Sequence, residues 1–204
     1  MSEQPTAYVV DDEESIRSLW EWLLASNGVA VRTFASAGAF IEAYRRGDAG
    51  CLVLDVRLPG MSGLELQGYL RQQEIDIPIV FVSGHGDVPT AVSAIKGGAV
   101  DFLQKPFDYR EALAIVQRAF ERDAQSRDRR ATQARLAERL AALTVREREV
   151  MHRIIEGKPN KMIAEELGIS VRTVEFHRAN VMEKMGATSV AALIQVIALH
   201  DLQA

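Results

Sequence analysis

The sequence contains a single cysteine, Cys51, so no disulfide can form within the chain. Cys51 opens the apolar run Cys51-Leu52-Val53-Leu54, and a lone buried thiol suits a reducing cytoplasm. The N-terminus lacks a basic segment followed by an apolar one, which argues against a secretory signal. The longest apolar stretch, 190–199, is interrupted by Gln195 and falls short of the roughly 20 residues a membrane helix needs, so no membrane partner is expected. No Gly-x-Gly-x-x-Gly or Walker loop follows a candidate strand, which disfavours a nucleotide-binding enzyme. The four histidines show no metal-ligand spacing. Glycine and proline are absent between Phe107 and Glu156, so nothing in that stretch dictates a turn.

What is present is ordinary in bulk and uneven in detail. The 204 residues leave room for one typical domain and a smaller second one. Hydrophobic residues make up 48% and charged residues 25%, as in most globular proteins. Residues 1–120 hold 16 acids against 10 bases, whereas residues 121–204 hold 12 acids against 14 bases. An acidic first part suits a metal or phosphoryl site, and a mildly basic second part suits a nucleic-acid binder. The basic excess is too small to establish DNA binding by itself.

Five short apolar runs of β type recur at 7–10, 29–34, 51–54, 77–82 and 100–103. Amphipathic segments of helical length separate them, at 14–27, 37–46, 63–73, 88–97 and from 109 onward. Alternation of this kind predicts βαβ units and a five-stranded parallel sheet, an α/β fold of doubly wound, flavodoxin-like type. The runs are nearly continuous in hydrophobicity, as expected where helices cover both faces. From about 109 to 140 the chain is rich in Ala, Gln, Glu and Arg, all good helix formers. A flexible charged tether is one reading of this stretch. A long helix continuing the last helix of the first domain is the favoured one, with Arg135, Leu136, Arg139 and Leu140 restoring a weak apolar stripe.

Beyond Leu143 the helices become short. Thr144-Val145-Arg146-Glu147 forms a capping box that opens a helix to about 156. Gly157-Lys158-Pro159 breaks it, Asn160 can cap a helix to 167, and Gly168-Ile169-Ser170 makes a turn. Ser170 caps a helix over 171–185, which Gly186 ends, and a last helix fills about 189–200. Two helices joined by a short glycine-containing turn form a DNA-binding unit, here within an all-α four-helix domain.

Asp11 and Asp12 follow the first run, Asp55 ends the third, Ser83 follows the fourth and Lys105 the fifth. All five therefore gather at the C-terminal edge of the sheet, where such folds place their function. Each has a plainer reading: a helix cap for Asp11-Asp12, a turn start for Asp55, loop filler for Ser83-Gly84, a solvated turn for Lys105-Pro106. Their order at successive strand ends makes coincidence the weaker account. Three carboxylates at one place repel unless a cation intervenes, and an open set of oxygen ligands suits Mg²⁺ or another divalent cation. Asp55 can then act as a nucleophile toward a phosphoryl group, with the metal and Lys105 neutralising the charge and Ser83 donating a hydrogen bond.

The segments Val9-Val10-Asp11-Asp12-Glu13-Glu14, Leu54 to Gly63, and Asp101-Phe102-Leu103-Gln104-Lys105-Pro106-Phe107 make residues 5–122 resemble a response-regulator receiver domain. The run Ser83-Gly84-His85-Gly86-Asp87-Val88-Pro89 is similar to the FixJ branch of that family. The resemblance implies a histidine-kinase partner and Asp55 as phospho-acceptor. It implies a metal held by Asp12, Asp55 and the main-chain carbonyl of Arg57, with Asp11 acting mostly through water. It also implies a cis Lys105–Pro106 bond. Ser83 stands where many members have threonine and keeps the hydroxyl. Phe102 matches the family's switch aromatic, a ring that packs inward when Ser83 moves toward the phosphate; a fixed core residue is the alternative.

On the 171–185 helix, Val174, His177, Val181 and Met185 share one face and form a core stripe. Arg172, Glu175, Phe176, Ala179 and Glu183 lie opposite, flanked by Thr173, Asn180 and Lys184. The outer face is the candidate for base edges and the flanks for phosphates. Phe176 could meet a thymine methyl group and Glu175 a cytosine amino group. An ordinary solvated helix face is the alternative for each. Residues 141–203 resemble the LuxR-type helix-turn-helix domain through the segments 143–150, 160–170 and 172–182. Lys161, Arg172, Thr173, Glu175, Phe176, Ala179, Asn180 and Lys184 form the candidate DNA-contact set.

The two resemblances identify a FixJ-type transcription regulator, with a receiver over 5–120, a helical linker over 121–140 and a DNA-binding domain over 141–204. They imply double-stranded DNA as a partner, a homodimer on phosphorylation and RNA polymerase as a further candidate partner. An enzyme of haloacid-dehalogenase type wants a second acid two residues after its nucleophile, and Arg57 stands there. A protein-interaction switch that has lost DNA binding is the third reading, separable by a salt-dependent DNA shift assay.

Overall fold

The computed structural model describes residues 4–84 and 88–201, with side chains up to residue 198. Of the FixJ-like run after the fourth strand, His85, Gly86 and Asp87 lie outside the described residues. The chain divides into two units, residues 1–127 and 128–204.

In the first unit the strands are β1 Thr6–Val10, β2 Ala30–Phe34, β3 Gly50–Asp55, β4 Ile79–Ser83 and β5 Asp101–Gln104. They alternate with helices α1 Glu14–Ser26, α2 Ala37–Ala43, α3 Gly63–Gln72, α4 Val88–Lys96 and α5 Tyr109–Ala141. All pairings are parallel and the strand order is β2-β1-β3-β4-β5. Period-two alternation divides the strand side chains between two cores. Ala7, Val9, Val53, Val80, Val82 and Leu103 pack with Trp20, Leu23 and Leu24 of α1 and Ile115 and Val116 of α5. Tyr8, Val10, Leu52, Leu54 and Phe81 face the other way, onto Phe40 of α2, Leu66 and Leu70 of α3 and Ala94 of α4. Burial on both faces explains the unbroken apolar runs. Phe40 and Phe81 are fully buried, each a contribution of about 1.5–3 kcal/mol.

The long helix read from the sequence is present as α5, 33 residues without a break. Its residues 121–127 belong with the first unit, and its end supplies Leu136 and Leu140 to the core of the second.

The second unit continues with α6 Val145–Ile155, α7 Asn160–Leu167, α8 Val171–Met185 and α9 Val190–Asp201. The Thr144–Glu147 capping box forms in both directions. Ser170 caps α8 by accepting the Thr173 N–H at 3.0 Å. Gly168 and Gly186 end α7 and α8 in the left-handed region, where glycine carries no Cβ penalty. The start of α7 differs from expectation. Its N-cap is Pro159, with no side-chain capping bond, and Asn160 is already helical. The Asn160 amide is drawn into a tertiary contact instead, accepting from Arg178 of α8 at 3.3 Å. Val150 and Ile154 of α6, Ile163 of α7, Val174, Val181 and Met185 of α8 and Leu193 of α9 make the core.

Candidate functional site

β1, β3, β4 and β5 are consecutive neighbours, and together they deliver five functional side chains at their C-terminal ends, two of them after β1. Asp11 and Asp12 follow Val10, Asp55 and Ser83 are the last residues of β3 and β4, and Lys105 follows Gln104. Asp11, Asp55 and Ser83 are buried, Lys105 is half-buried and Asp12 is exposed. Lys105 Nζ donates to Asp11 Oδ2 and to Asp55 Oδ2, each at 2.7 Å. Carboxylate oxygens of Asp11, Asp12 and Asp55 all come within 4.8 Å of one another.

The surrounding backbone holds these groups still. Asp11 Oδ1 accepts the Glu13 N–H at 2.9 Å and Asp55 Oδ1 accepts the Arg57 N–H at 2.8 Å. Arg17, one turn into α1, donates to the carbonyls of Asp11 and Asp12 at 2.9 and 2.8 Å. Gly63 opens α3 against the end of β3; a Cβ there would stand 2.3 Å from the Asp55 carbonyl oxygen, so only glycine fits. The Lys105–Pro106 bond is cis.

The electrostatics are those of an anionic pocket with one internal cation. Burial raises the Asp11 carboxyl above its ordinary value, against the opposing pull of Lys105 and the Glu13 N–H. Burial works against the charge on Lys105, yet the bonds to Asp11 and Asp55 raise its pKa and hold it protonated. Three carboxylates and one ammonium leave a net of two negative charges. Hard oxygen donors with that charge deficit fit a divalent cation. Phe102 is half-buried on β5 and packs onto the α2/α3/α4 side of the sheet.

On α8 the helical sorting holds position by position. Val174, Val181 and Met185 are buried and His177 is half-buried. Arg172, Glu175, Phe176, Ala179 and Glu183 are all exposed, as is Lys161 on α7. Phe176 is 63% exposed, with the His177 ring as edge-on neighbour. Thr173 and Asn180 are half-buried on the flanks, and the Thr173 hydroxyl pairs with Ser170. Lys184, the remaining candidate phosphate contact, is half-buried and already paired within the domain. Its Nζ donates to Glu147 Oε2 at 2.6 Å and to the Ala142 carbonyl at 3.2 Å, so its charge is committed to the α6–α8 interface. Withdrawing the ammonium would leave the buried Glu147 carboxylate without its counter-charge, which is costly.

Sequence reasoning passed over two of these residues. Gly63 left a signal, a poor helix former at the first helical position, where close backbone approach is the usual reason. Arg17 left none, because an arginine on a solvated helix face looks the same whether or not it reaches back to a loop.

Residues 7–117 match the response regulator receiver domain family, and residues 141–197 match the bacterial regulatory proteins of the luxR family. The chain is a FixJ-type response regulator. It is 43% identical over 199 residues to the transcriptional regulatory protein FixJ of Azorhizobium caulinodans, spanning 98% of this chain and 94% of that one. It is 42% identical over 189 residues to the response regulator protein TodT of Pseudomonas putida, covering 93% and 83% of the two chains. Among solved structures it is similar to the response regulator StyR, with a TM-score of 0.90, 44% identity and coverage of 96% and 98%. Full-length FixJ from B. japonicum matches with a TM-score of 0.61, 41% identity and coverage of 98% and 99%. As a FixJ-type response regulator the chain joins a receiver to a DNA-binding domain, in a family of transcription regulators rather than enzymes. Among the described residues no single helix is long and apolar enough to cross a membrane.

Proposed function

We propose that a partner histidine kinase phosphorylates Asp55 and that the phosphorylated protein pairs and binds promoter DNA. The observation that carries this reading is the bridging of Asp11 and Asp55 by Lys105 Nζ at 2.7 Å. An ammonium so placed is positioned to neutralise a phosphoryl oxygen arriving at Asp55. A carboxylate oxygen of Asp55 attacks phosphorus, the bond from phosphorus to the kinase histidine nitrogen breaks, and its electron pair leaves on the imidazole. The product is an acyl phosphate on Asp55. Asp11, Asp12, Asp55 and the main-chain carbonyl of Arg57 would hold Mg²⁺, which when bound supplies positive charge to the phosphoryl oxygens. The Arg57 N–H keeps the Asp55 carboxylate oriented. The Ser83 hydroxyl then donates to the phosphate, and Phe102 turns further inward as Ser83 moves.

The α4–β5 face is the proposed pairing surface. Val88, Val92 and Ile95 are exposed on one stripe of α4. On α9, Leu193 is buried and Val190, Val196 and Ile197 are half-buried, which leaves Ile194 as the exposed large apolar side chain among the described residues of that helix. Two DNA-binding domains held together gain affinity by effective concentration, on the order of 10² or more. In the major groove, α8 would present Arg172, Glu175, Phe176 and Ala179 to base edges, with Thr173, Asn180 and Lys161 beside the phosphates. The free, buried thiol of Cys51 suits a cytoplasmic location.

Intact-mass measurement after incubation with acetyl phosphate and Mg²⁺ tests the chemistry. One added phosphoryl group is expected, lost in Asp55→Asn and on chelation of the metal. Labelling of Asp55→Asn at the wild-type level would refute the assignment.

A further inference from the structure

β3 begins before its neighbour β4 does. Leu52 pairs with Ile79, and the Leu52 N–H donates to the Pro78 carbonyl at 2.8 Å. In a parallel ladder, alternate residues direct their amides to the same neighbour. The Gly50 N–H, two residues earlier, therefore faces the β4 side at a level where β4 is not yet present. A buried N–H in that position needs a partner from elsewhere. Asp123 of α5 supplies it: its Oδ2 accepts the Gly50 N–H at 3.0 Å. The same oxygen accepts from Arg127 Nε at 2.8 Å. Asp123 is 3% exposed, an acid sunk into the bottom of the sheet in the middle of a run that reads as solvated. Three residues on, the Ser126 hydroxyl binds Asp76, just ahead of β4. Gly50 itself admits no side chain, since a Cβ would stand 1.9 Å from the Thr6 carbonyl oxygen.

We propose that Asp123 is a positioning residue for signal transmission, fastening the helix that continues into the DNA-binding domain to the start of the strand whose other end carries Asp55. The proposal rests on the reading that phosphorylation of Asp55 gates DNA binding. β3 runs Gly50–Asp55, so the clasp and the phospho-acceptor lie about 17 Å apart on one rigid strand. Helix turns 120–127 would otherwise rest on the receiver through few apolar contacts, because beyond Phe120 they carry Glu121, Arg122, Gln125 and Ser126. Without the clasp those turns can lift away, and a change in the receiver no longer reaches a fixed helix.

The test uses the full chain, with beryllofluoride and Mg²⁺ as the phosphoryl mimic and a DNA duplex selected in vitro with the wild type. The readout is the ratio of DNA affinity with and without the mimic, beside hydrogen exchange at Gly50 and across 120–127. Asp123→Ala should bind beryllofluoride as the wild type does and keep the unactivated DNA affinity. Its activation ratio should fall about tenfold, within the range typical of coupling between sites, with loss of protection at Gly50. Asp123→Asn keeps an oxygen that can accept the Gly50 N–H and should retain more of the ratio than Asp123→Ala; Arg127→Ala should lie between them. Leu70→Ala, in the opposite core cluster, loosens the same unit without touching the clasp and should keep the ratio. A wild-type ratio in Asp123→Ala, or an equal loss in Leu70→Ala, overturns the proposal. A wild type that does not respond to the mimic overturns the reading beneath it, and the proposal with it.

Discussion

Replacing Lys184 by methionine keeps most of the aliphatic stem and removes the ammonium that holds Glu147. Glu147 is buried, and its carboxylate also accepts the Thr144 N–H at 2.9 Å, which closes the capping box of α6. Without Lys184 the carboxylate retains the cap but loses its only cation among the described residues. Breaking a fully buried pair from one side costs about 3–5 kcal/mol. Lys184 is 34% exposed, so solvent screens part of the loss, and about 1–2 kcal/mol is expected here. The pH dependence gives the sign. The hydrogen bonds from Lys184 and then from the Thr144 N–H pull the Glu147 carboxyl down from 4.5 to about 2. A depressed folded-state pKa contributes stability that is present above 4.5 and lost as the pH falls from there toward 2. Hydrogen exchange on the full chain, read in α6 and α8 with receiver peptides as the internal control, measures both effects. Lys184→Met should lower local stability at neutral pH and flatten its decline in acid. DNA binding should keep its salt dependence. Unchanged protection together with a salt slope reduced by about one would show that Lys184 contacts a phosphate after all, and the argument from the ion pair would fail.

Phe176→Ala should change sequence preference by about 1 kcal/mol, and the wild type alone should lose affinity when deoxyuridine replaces the contacted thymine; equal response of both proteins to that replacement would exclude a methyl contact. Gly63→Ala should destabilise the receiver, because its Cβ would overlap the Asp55 carbonyl; overpacking of this kind costs about 1–3 kcal/mol, readable by denaturant titration, and a neutral effect would mean the α3 start can shift freely. Gln125→Pro removes one hydrogen bond of α5 and should cost about 3 kcal/mol in helix stability, visible as lost ellipticity together with lost phosphorylation-dependent DNA binding; silence in both would make the segment a tether. Sedimentation with beryllofluoride should show a shift from monomer to dimer, and Val92→Asp on α4 should abolish it; an unchanged mass while DNA affinity rises would leave release of an autoinhibitory contact as the better account.

The placement of the acidic site was legible because it depends only on strand order. In a parallel sheet every strand delivers its C-terminal residue to the same edge, so Asp11, Asp55, Ser83 and Lys105 could be brought together without any knowledge of side-chain packing. The α8 faces were legible for a similar reason, since a fixed 100° per residue sorts Val174 from Phe176 with no tertiary information. Depth was not legible. A helical period says which way Lys184 points but not that a buried carboxylate on α6 lies within its reach, and a long flexible side chain on a flank can turn either way. Asp123 marks the same limit more sharply. It lies among Glu121, Arg122 and Arg127, in a stretch whose composition reads as solvent-facing, and its burial follows from a missing strand partner at Gly50. That vacancy arises from the relative starting points of β3 and β4. Strand starts are the least determined feature of an apolar run, as Ile77 and Pro78 show: the run begins with them, yet β4 begins at Ile79. A two-residue difference at the start of a strand therefore decides whether an acid 73 positions after Gly50 is a surface charge or the fastening of a helix.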